Sequence, residues 1–353
     1  MRILAINPGS TSTKIAVYED EKTLLNKDIA HSATELSRFH EVTDQYHFRR
    51  QLIIDELRRE GIKLDFRAVI GRGGLTKPLE GGVYEINELM LEDTRNAIHK
   101  HACDLGCLLA YDIAKDIEGC RSFIADPGVV DELCDEARLT GTPLIRRICI
   151  WHALNQKAVA SRFARERGVH YEDLNLIVCH LGGGISIAAH AHGRAIDANN
   201  ALDGEGPFSP SRTGSLPVCG LIRLCYSGRF TEEGLLKYLS GESGLIAHLG
   251  TSDVRKVEQR IADGDDKARR VLDALIFHTA KAIAAEGAVL CGKIDGVILT
   301  GGMARSKYII PRLKERIAFL APVAVYPGED EMGALASNAL AVLKGEREAK
   351  EYK

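Results

Sequence analysis

The sequence feature that most constrains the fold is a strand–loop–strand pattern that occurs twice. Residues 1–6 form an apolar run that stops at residues 7–9, four hydroxyl residues follow, and apolar alternation resumes at Ile15. Residues 174–180 form a second apolar run, "LGGG" supplies a loop, and "ISIAAHAHG" supplies the returning strand. Because both copies have the same order of elements, we expect each half of the chain to carry one copy of the same unit.

Strand patterns and helical patterns alternate along the rest of the chain, which is typical of an α/β protein. Residues 272–287 carry the apolar spacing of a deeply packed helix. A chain of 353 residues is long enough for two domains. No flexible linker separates the halves, so we predict an N-terminal domain of residues 1–149 and a C-terminal domain of residues 150–329. The charged residues after the last helical pattern are expected to fray.

Composition excludes several classes of partner. The 46 Lys and Arg residues and 49 Asp and Glu residues give a net charge of −3, so nothing favours binding to nucleic acid or to an anionic membrane. No apolar run approaches the roughly 18 residues of a membrane span, and the N-terminus lacks the pattern of a secretion signal. Nine scattered cysteines without a CxxC pair fit free thiols. We therefore expect a cytoplasmic protein.

Three strand ends carry loops of small residues, at residues 7–13, 182–184 and 301–302. Glycine allows close approach and positive φ, so successive backbone N–H groups can line a phosphate, and hydroxyl groups add donors. A single loop of this kind is more often an ordinary hairpin turn. Three such loops, two of them with the same flanking strands, favour a nucleotide site, although none is a P-loop or a GxGxxG turn that opens a helix.

These segments together resemble the acetate and butyrate kinase family of the actin-like ATPase superfamily. "INPGSTSTK", "FIADP", "IWHALNQKAV", "CHLGGGISIA", "FSPSRTG", "LTGG" and "DEMGALA" occur in the family's order across almost the whole chain. The resemblance implies a two-domain, ribonuclease H-like fold in which each domain is a mixed sheet flanked by helices. It also implies that the C-terminal helix, within residues 330–353, packs on the N-terminal domain, and that ATP binds in the cleft between the domains.

The activity that the resemblance implies is reversible transfer of the γ-phosphoryl group of ATP to a short-chain carboxylate, with Mg²⁺ as the metal. "IGRGG" and "IWHALN" depart from the acetate kinase pattern and favour butyrate, while acetate and branched acids stay open. The family also implies a homo-oligomer, a dimer or larger, for which the apolar helix of residues 272–290 is a candidate interface. The alternative from another class is an actin-like nucleotide-binding switch without a small-molecule acceptor.

The acceptor carboxylate is ionised at neutral pH, so it attacks without a general base. The obstacle is the repulsion between two anions, which cations and positioned donors reduce. The resemblance assigns the catalytic positions to Arg212, His152, Arg72 and Asp126. It assigns phosphate or nucleotide binding to Ser10, Ser12, Lys14, His180, Gly182, Gly183, Gly184, Gly301 and Gly302. It assigns the metal site to Asn7, Asp126 and Glu331, and His101 resembles a further active-site histidine.

The arginines and the aspartate at the catalytic positions also have simpler explanations. Arg212 and Arg72 lie in glycine- or proline-bounded loops, where their guanidinium groups can bind an anion bidentately, but a loop arginine is also commonly solvated. His152 could simply pack beside Trp151. Asp126 could be the N-cap of a helix in "VVDEL".

The same holds for the metal and phosphate positions. Glu331 could be a first-turn acid that interacts with the helix dipole, and Lys14 could belong to the polar face of its strand. His190 and His192 lie on one strand face and could form a zinc pair, but the sequence has no further ligand at suitable spacing.

Overall fold

Strands and helices alternate along the chain in the computed structural model, which describes residues 1–97 and 102–353. The strands are β1 Arg2–Pro8, β2 Ser12–Glu19, β3 Lys22–Ala30, β4 Ala68–Arg72, β5 Val83–Glu85, β6 Arg121–Ala125, β7 Asn175–Leu181, β8 Ile185–Ala191, β9 Arg194–Ala198, β10 Gly296–Gly301, β11 Val323–Pro327 and β12 Lys350–Glu351. The α-helices are α1 Ala33–Leu36, α2 Tyr46–Arg59, α3 Glu88–Arg95, α4 Asp104–Lys115, α5 Asp135–Arg138, α6 Ala153–Arg165, α7 Val218–Cys225, α8 Glu232–Gly241, α9 Leu245–Leu249, α10 Val254–Ala262, α11 Asp266–Val289, α12 Ile309–Ile317 and α13 Glu331–Leu343.

The first compact unit, unit 1, comprises Met1–Val130 and Asp330–Lys353. Its sheet has the strand order β12-β5-β6-β4-β1-β2-β3. The first three strands of the chain pair antiparallel, whereas β4 runs parallel to β1 and β6 runs parallel to β4. Apolar residues of α2 and α4, among them Ile53 and Leu105, are buried against this sheet. Unit 1 is therefore a mixed sheet with helices packed on it, as predicted.

The second compact unit, unit 2, comprises Asp131–Glu329. Its sheet has the order β11-β10-β7-β8-β9, with β7, β8 and β9 antiparallel, β10 parallel to β7 and β11 parallel to β10. These five strands have the same order and directions as β6, β4, β1, β2 and β3 of unit 1. The predicted repeat is confirmed.

The boundary between the units lies earlier than the predicted one at residue 149. Residues 131–149 belong to unit 2, because Cys134 N–H donates to the Ile196 carbonyl at 2.8 Å and Arg147 pairs with Asp197 at 2.9 Å. Hydrophobic periodicity is weak over this segment, so the sequence offered no signal for its attachment to β9.

Helix α11 is packed as its periodicity predicts. Leu272, Leu275, Ile276 and Ile283 are buried in the core of unit 2. This core occupies the apolar face that was expected to be a candidate interface, so that face is not open for contact with another chain.

The C-terminal segment is ordered instead of frayed. Within unit 1, α13 packs against β1 and β4, and β12 adds a parallel strand beside β5. Tyr352 is 3% exposed, its hydroxyl donates to Asp93 at 2.8 Å, and its carbonyl accepts from Asn87 at 2.8 Å. The buried tyrosine explains why the expectation from charge alone was wrong.

In the described ranges, no helix combines the length and apolar character needed to cross a lipid bilayer. All nine cysteines lie in those ranges and none forms a disulfide.

Candidate active site

Unit 1 brings together four of the predicted residues at one edge of its sheet. Asn7, Arg72 and Asp126 lie at or just beyond the carboxyl ends of the neighbouring strands β1, β4 and β6. Asn7 Nδ2 donates to Glu331 Oε2 at 2.5 Å, and Arg72 Nη1 lies 3.1 Å from Glu331 Oε1. Glu331 is also the first residue of α13, so it is a first-turn acid whose carboxylate contacts the strand ends.

Asp126 has an unusual backbone conformation. Its φ is +39°, a left-handed conformation that costs a non-glycine residue free energy. It is 5% exposed, and Oδ1 accepts from the Gly82 N–H at 2.7 Å. The next helix begins only at Asp135, so the interpretation as a helix N-cap is wrong.

The oxygen-bearing residues of unit 1 suit Mg²⁺, which takes only part of its coordination shell from protein. They do not suit a metal that is coordinated by protein side chains alone. Asn7, Asp126 and Glu331 offer oxygen atoms, which hard cations prefer. Among the described residues, no group of three or more His, Cys, Asp and Glu side chains could hold an ion by itself. Mg²⁺ commonly takes one or two carboxylates and completes its shell with water and substrate phosphates, which agrees with this donor set.

The opening loop is a tight turn with outward-facing amides. Gly9 N–H donates to the Ser12 carbonyl at 2.8 Å, and Ser10 and Thr11 are exposed. The Gly9 carbonyl accepts from Arg49 Nη1 at 2.8 Å, so the N–H of the same planar peptide, on Ser10, points the opposite way. Within the described ranges, the amides of Ser10 and Thr11 donate to no backbone acceptor. Such amides suit an anion.

Lys14 is exposed on β2 and lies opposite Asn7 in the register of the hairpin. This position agrees with the polar-face interpretation and also puts the ammonium group on the strand that follows the turn. Both roles are compatible with the geometry.

The sequence analysis did not identify Arg49, whose side chain donates hydrogen bonds to carbonyl groups of the opening loop. The side chain is fully buried and donates to the carbonyls of Gly9 and Ser12 at 2.8 and 3.0 Å, while Gln45 holds the other guanidinium nitrogens. Burial lowers the pKa of Arg49 to about 10. No carboxylate pairs with it in the part of the chain that the structure describes. Its place four residues before Ile53, on the apolar face of α2, is the signal that could have identified it.

In unit 2, two glycine loops meet at the ends of neighbouring parallel strands. Thr300 of β10 pairs with His180 of β7, so residues 301–302 lie beside the loop of residues 182–184. Gly301 has φ +87°, and a Cβ atom there would lie 2.5 Å from the Leu181 carbonyl oxygen. A Cβ atom at Gly183 would meet no described atom within 4 Å. The ends of β7 and β10 therefore have room for a ligand at Gly183, beside the closely packed backbone at Gly301.

Arg212 lies against the glycine loop. Ser209 Oγ donates to the Gly183 carbonyl at 2.6 Å, and Arg212 Nη1 donates to the Ala201 carbonyl at 2.6 Å. A Cβ atom on Gly184 would overlap Arg212 Nη1, so glycine is required for this approach. The loop that carries Arg212 and the glycine loop of residues 182–184 therefore lie side by side.

Burial lowers the pKa of Arg212, an effect that the carboxylate of Asp203 partly opposes. The Nε atom is shielded from solvent and has no hydrogen-bond partner among the described residues. A buried donor without an acceptor is unusual in a folded protein, and an anionic ligand would supply one.

The two predicted site histidines of unit 2 are stacked. The rings of His152 and His180 have centroids 3.7 Å apart and an interplanar angle of 8°. His152 Nδ1 lies 2.8 Å from Ser186 Oγ, and His180 Nδ1 lies 2.9 Å from Asn155 Oδ1. His180 Nε2 is 3.0 Å from Glu329 Oε1, a partner that sequence reasoning also missed. The histidines are thus held in place from several directions.

The remaining histidines have separate roles. Trp151 packs edge-on against His190, whose ring nitrogens face Tyr171 and Gln156. His192 bonds to the Glu172 carbonyl outside β8. His190 and His192 therefore have different partners, which leaves no basis for a shared metal. His101 lies outside the described residues.

Comparison with known proteins places the whole chain in one family. The model of the Acetokinase family matches residues 137–320. The chain is 60% identical over 353 residues to "Probable butyrate kinase" of Bacteroides thetaiotaomicron, with 100% of both chains covered. It is 47% identical over 354 residues to "Butyrate kinase 1" of Clostridium acetobutylicum, with 100% of this chain and 99% of that protein covered.

A crystal structure of Porphyromonas gingivalis acetate kinase has the same fold, with a TM-score of 0.81 at 19% identity and coverage of 97% of this chain and 99% of that one. The mixed sheets with packed helices that were expected from the motifs are present in both units. The duplicated sheets, the glycine loops and the full-length identity together establish that this chain is a member of the acetokinase family.

Proposed function

We propose that the protein transfers the γ-phosphoryl group of ATP to the carboxylate of butyrate, giving ADP and butyryl phosphate, and that it catalyses the reverse reaction. The observation that carries the proposal is the 60% identity over the full chain to a protein named as a probable butyrate kinase. The clusters at the strand ends of both units supply the types of group that such a reaction needs.

In the proposed reaction, a carboxylate oxygen of butyrate attacks the γ-phosphorus, and the bond from that phosphorus to the β,γ-bridging oxygen breaks. The electron pair leaves with ADP, and no proton is transferred. Arg212 and Arg72 offset the charge of the two anions, and His152 donates a hydrogen bond to the transferred group. The amides of residues 10–11 and 183–184 bind phosphate oxygens.

Mg²⁺ is the proposed metal, held by Asn7, Asp126 and Glu331 in unit 1. When bound with ATP, it neutralises phosphate charge. The carboxylates and Asn7 orient the ion, and Arg72 keeps the Glu331 side chain turned toward the strand ends.

Steady-state assays of ADP formation with acids of two to five carbons, straight and branched, test the substrate. Each buried methylene contributes about 0.8 kcal/mol, so two methylenes predict a kcat/KM for butyrate about tenfold or more above that for acetate. Equal values would reject butyrate as the preferred acid and leave phosphoryl transfer intact. ATP turnover that does not depend on any carboxylate would instead favour a nucleotide-binding switch.

We also propose that the protein is a cytoplasmic homo-oligomer. The nine cysteines, which form no disulfide among the described residues, suit a reducing compartment. The segment of residues 216–230 supports self-association, because it exposes a run of apolar side chains in unit 2.

A further inference from the structure

Behind His152, unit 2 contains a line of buried polar side chains that have no task in the proposed reaction. Tyr171, His190, Gln156 and Ser186 are each no more than 8% exposed. Tyr171 Oη lies 2.5 Å from His190 Nδ1, and His190 Nε2 lies 3.1 Å from Gln156 Oε1. Gln156 Nε2 lies 2.8 Å from Ser186 Oγ, which is 2.8 Å from His152 Nδ1. We name this set the histidine relay.

The direction of the hydrogen bonds follows from the backbone carbonyl of Ser186, which can accept a hydrogen bond but cannot donate one. Gln156 Nε2 lies 3.1 Å from the backbone carbonyl of Ser186. An amide oxygen in that position would face another acceptor, so the amide nitrogen must point toward Ser186 and the amide oxygen toward His190. The orientation of Gln156 is thus determined by the backbone of β8.

The amide oxygen of Gln156 requires a donor, so His190 carries its proton on Nε2. Burial, with the nearby charge of Lys157, lowers the pKa of His190 well below its ordinary value and keeps the ring neutral. The unprotonated Nδ1 then accepts from the Tyr171 hydroxyl. This end of the relay has one consistent arrangement of protons.

At the other end, the Ser186 hydroxyl receives two donors. Gln156 Nε2 donates to Oγ at 2.8 Å, and the His152 backbone N–H approaches Oγ at 3.3 Å. Within the described ranges, the remaining polar atom in hydrogen-bonding distance of Oγ is His152 Nδ1. The hydroxyl proton therefore points to Nδ1, which accepts it.

A neutral imidazole that accepts on Nδ1 carries its proton on Nε2. The ring cannot tilt freely, because it stacks on His180, which Asn155 holds in turn. The line of hydrogen bonds and the stack together determine both the orientation of the His152 ring and the nitrogen that carries the proton.

We propose that Ser186 and Gln156 are positioning residues that hold His152 as the neutral Nε2–H tautomer, so that the ring donates a hydrogen bond to the transferred phosphoryl group. The proposal rests on the function proposed above. Its first part, the tautomer, is a property of the resting protein and can be measured without substrate.

The first test is NMR of the full chain labelled with ¹⁵N-histidine, in which two-bond correlations between ring protons and nitrogens identify the tautomer. The signals of His152 are assigned by their loss in His152→Gln. We expect the Nε2–H pattern in the unsubstituted protein and a shift toward a mixture of tautomers in Ser186→Ala. An Nδ1–H pattern, or an unchanged pattern in Ser186→Ala, would overturn the proposal.

The second test separates positioning from general stability. Ser186→Ala should lower kcat at least about tenfold, since a wrongly held donor loses much of the effect of a deleted one, while the KM values for ATP and butyrate change little. Thr279→Val is the matched control, because it removes another fully buried hydroxyl of unit 2 that donates to the Leu275 carbonyl outside the relay. A similar loss of kcat in this control would assign the effect to packing.

A double substitution completes the design. If Ser186 acts through His152, then His152→Gln with Ser186→Ala should be no slower than His152→Gln alone, whereas multiplied losses would show independent action and reject the proposal. Failure of the proposed function would look different, because the unsubstituted protein would then consume no ATP with butyrate. The NMR test of the tautomer needs no substrate, so its outcome does not depend on that assay.

Discussion

At the scale of single residues, two arginines of the candidate site, the fully buried Arg49 and the partly buried Arg212, share an unusual environment. Arg49 and Arg212 donate to backbone carbonyls, and neither has a carboxylate within ion-pair distance among the described residues. A carbonyl satisfies an N–H group without cancelling the positive charge. An uncompensated buried charge is costly, so each arginine gains when an anion binds nearby. This electrostatic gain agrees with the phosphate binding that we propose.

A buried carboxyl group in unit 2 gives a pH-dependent prediction. Burial, and then the charge of Asp197, raise the pKa of Glu286 from its ordinary 4.5 to about 8. The folded state therefore binds a proton that the unfolded state has released between these values, and the free energy of unfolding falls as pH rises through this window. Glu286→Gln should remove this fall. Between pH 5 and pH 8, the free energy of unfolding should therefore decrease by about 3 kcal/mol less in this variant than in the unsubstituted protein.

Denaturant unfolding at pH 5, 6, 7 and 8 measures this effect. Glu315→Gln on α12 is the control, since Glu315 is exposed and its substitution should leave the pH profile unchanged. Parallel pH profiles for the unsubstituted protein and Glu286→Gln would contradict the prediction.

Residues with a short sequence signature were the predictable part of the site. Asn7, Arg72, Asp126 and Glu331 are far apart in the chain, yet family motifs marked each of them, and the strand ends of unit 1 bring them together. The supporting residues had no such signature. Gln156, Ser186 and Arg49 look like ordinary polar side chains until the packing of neighbouring elements shows what they contact.

At the scale of elements, the loop of residues 182–184 combines one tightly packed glycine with one open position. Gly184→Ala would push a methyl group into Arg212, so it should lower both the melting temperature and the affinity for ATP. The methyl group added by Gly183→Ala would meet no described atom within 4 Å, so the melting temperature of this variant should stay unchanged. If the open space takes phosphate, Gly183→Ala should still raise KM for ATP about tenfold or more, because a methyl group there would cost at least about 1.4 kcal/mol of ATP binding.

Differential scanning calorimetry and ATP titration of the two variants separate these effects. A Gly183→Ala variant with normal stability and an unchanged KM would show that the loop does not contact the nucleotide. A destabilised Gly183→Ala variant would contradict the geometry itself.

The predictability of elements followed the strength of their periodicity. Both hairpins have clear apolar alternation, and their strand ends agree with the structure within about two residues, whereas α11 has clear helical periodicity but begins at Asp266, six residues before the predicted pattern. After β6, the predicted strand end at Asp126 agrees with the structure, and only the alternative of a helix start in "VVDEL" is wrong, because Asp126 adopts a left-handed backbone and Val130 bridges to Leu79. At this turn, contacts with other parts of unit 1 determine the backbone conformation, and the local preference for a helix does not.

At the scale of the whole molecule, the proposed self-association has a specific surface. No residue of α7 is buried, and Val218, Ile222 and Tyr226 follow one another at helical spacing with exposures of 69%, 51% and 89%. Light scattering coupled to size exclusion should give a multiple of the 38.6 kDa chain mass, and Ile222→Asp should shift it toward the single-chain mass. Charge in an apolar interface is strongly unfavourable.

Phe319→Asp is the matched control, because Phe319 is 76% exposed and lies outside this segment. Its variant should keep the mass of the unsubstituted protein. A single-chain mass without any substitution, or dissociation by Phe319→Asp with Ile222→Asp unaffected, would contradict the proposed surface.

The arrangement of unit 1 also bears on how the polypeptide is made. Its sheet needs β12, and its strand ends need α13, yet all of unit 2 is translated before either of them. When residues 131–329 have been synthesised, the first 130 residues still lack the C-terminal helix and strand of their own unit. The half that is synthesised first therefore cannot complete its fold before the last residues of the chain are made.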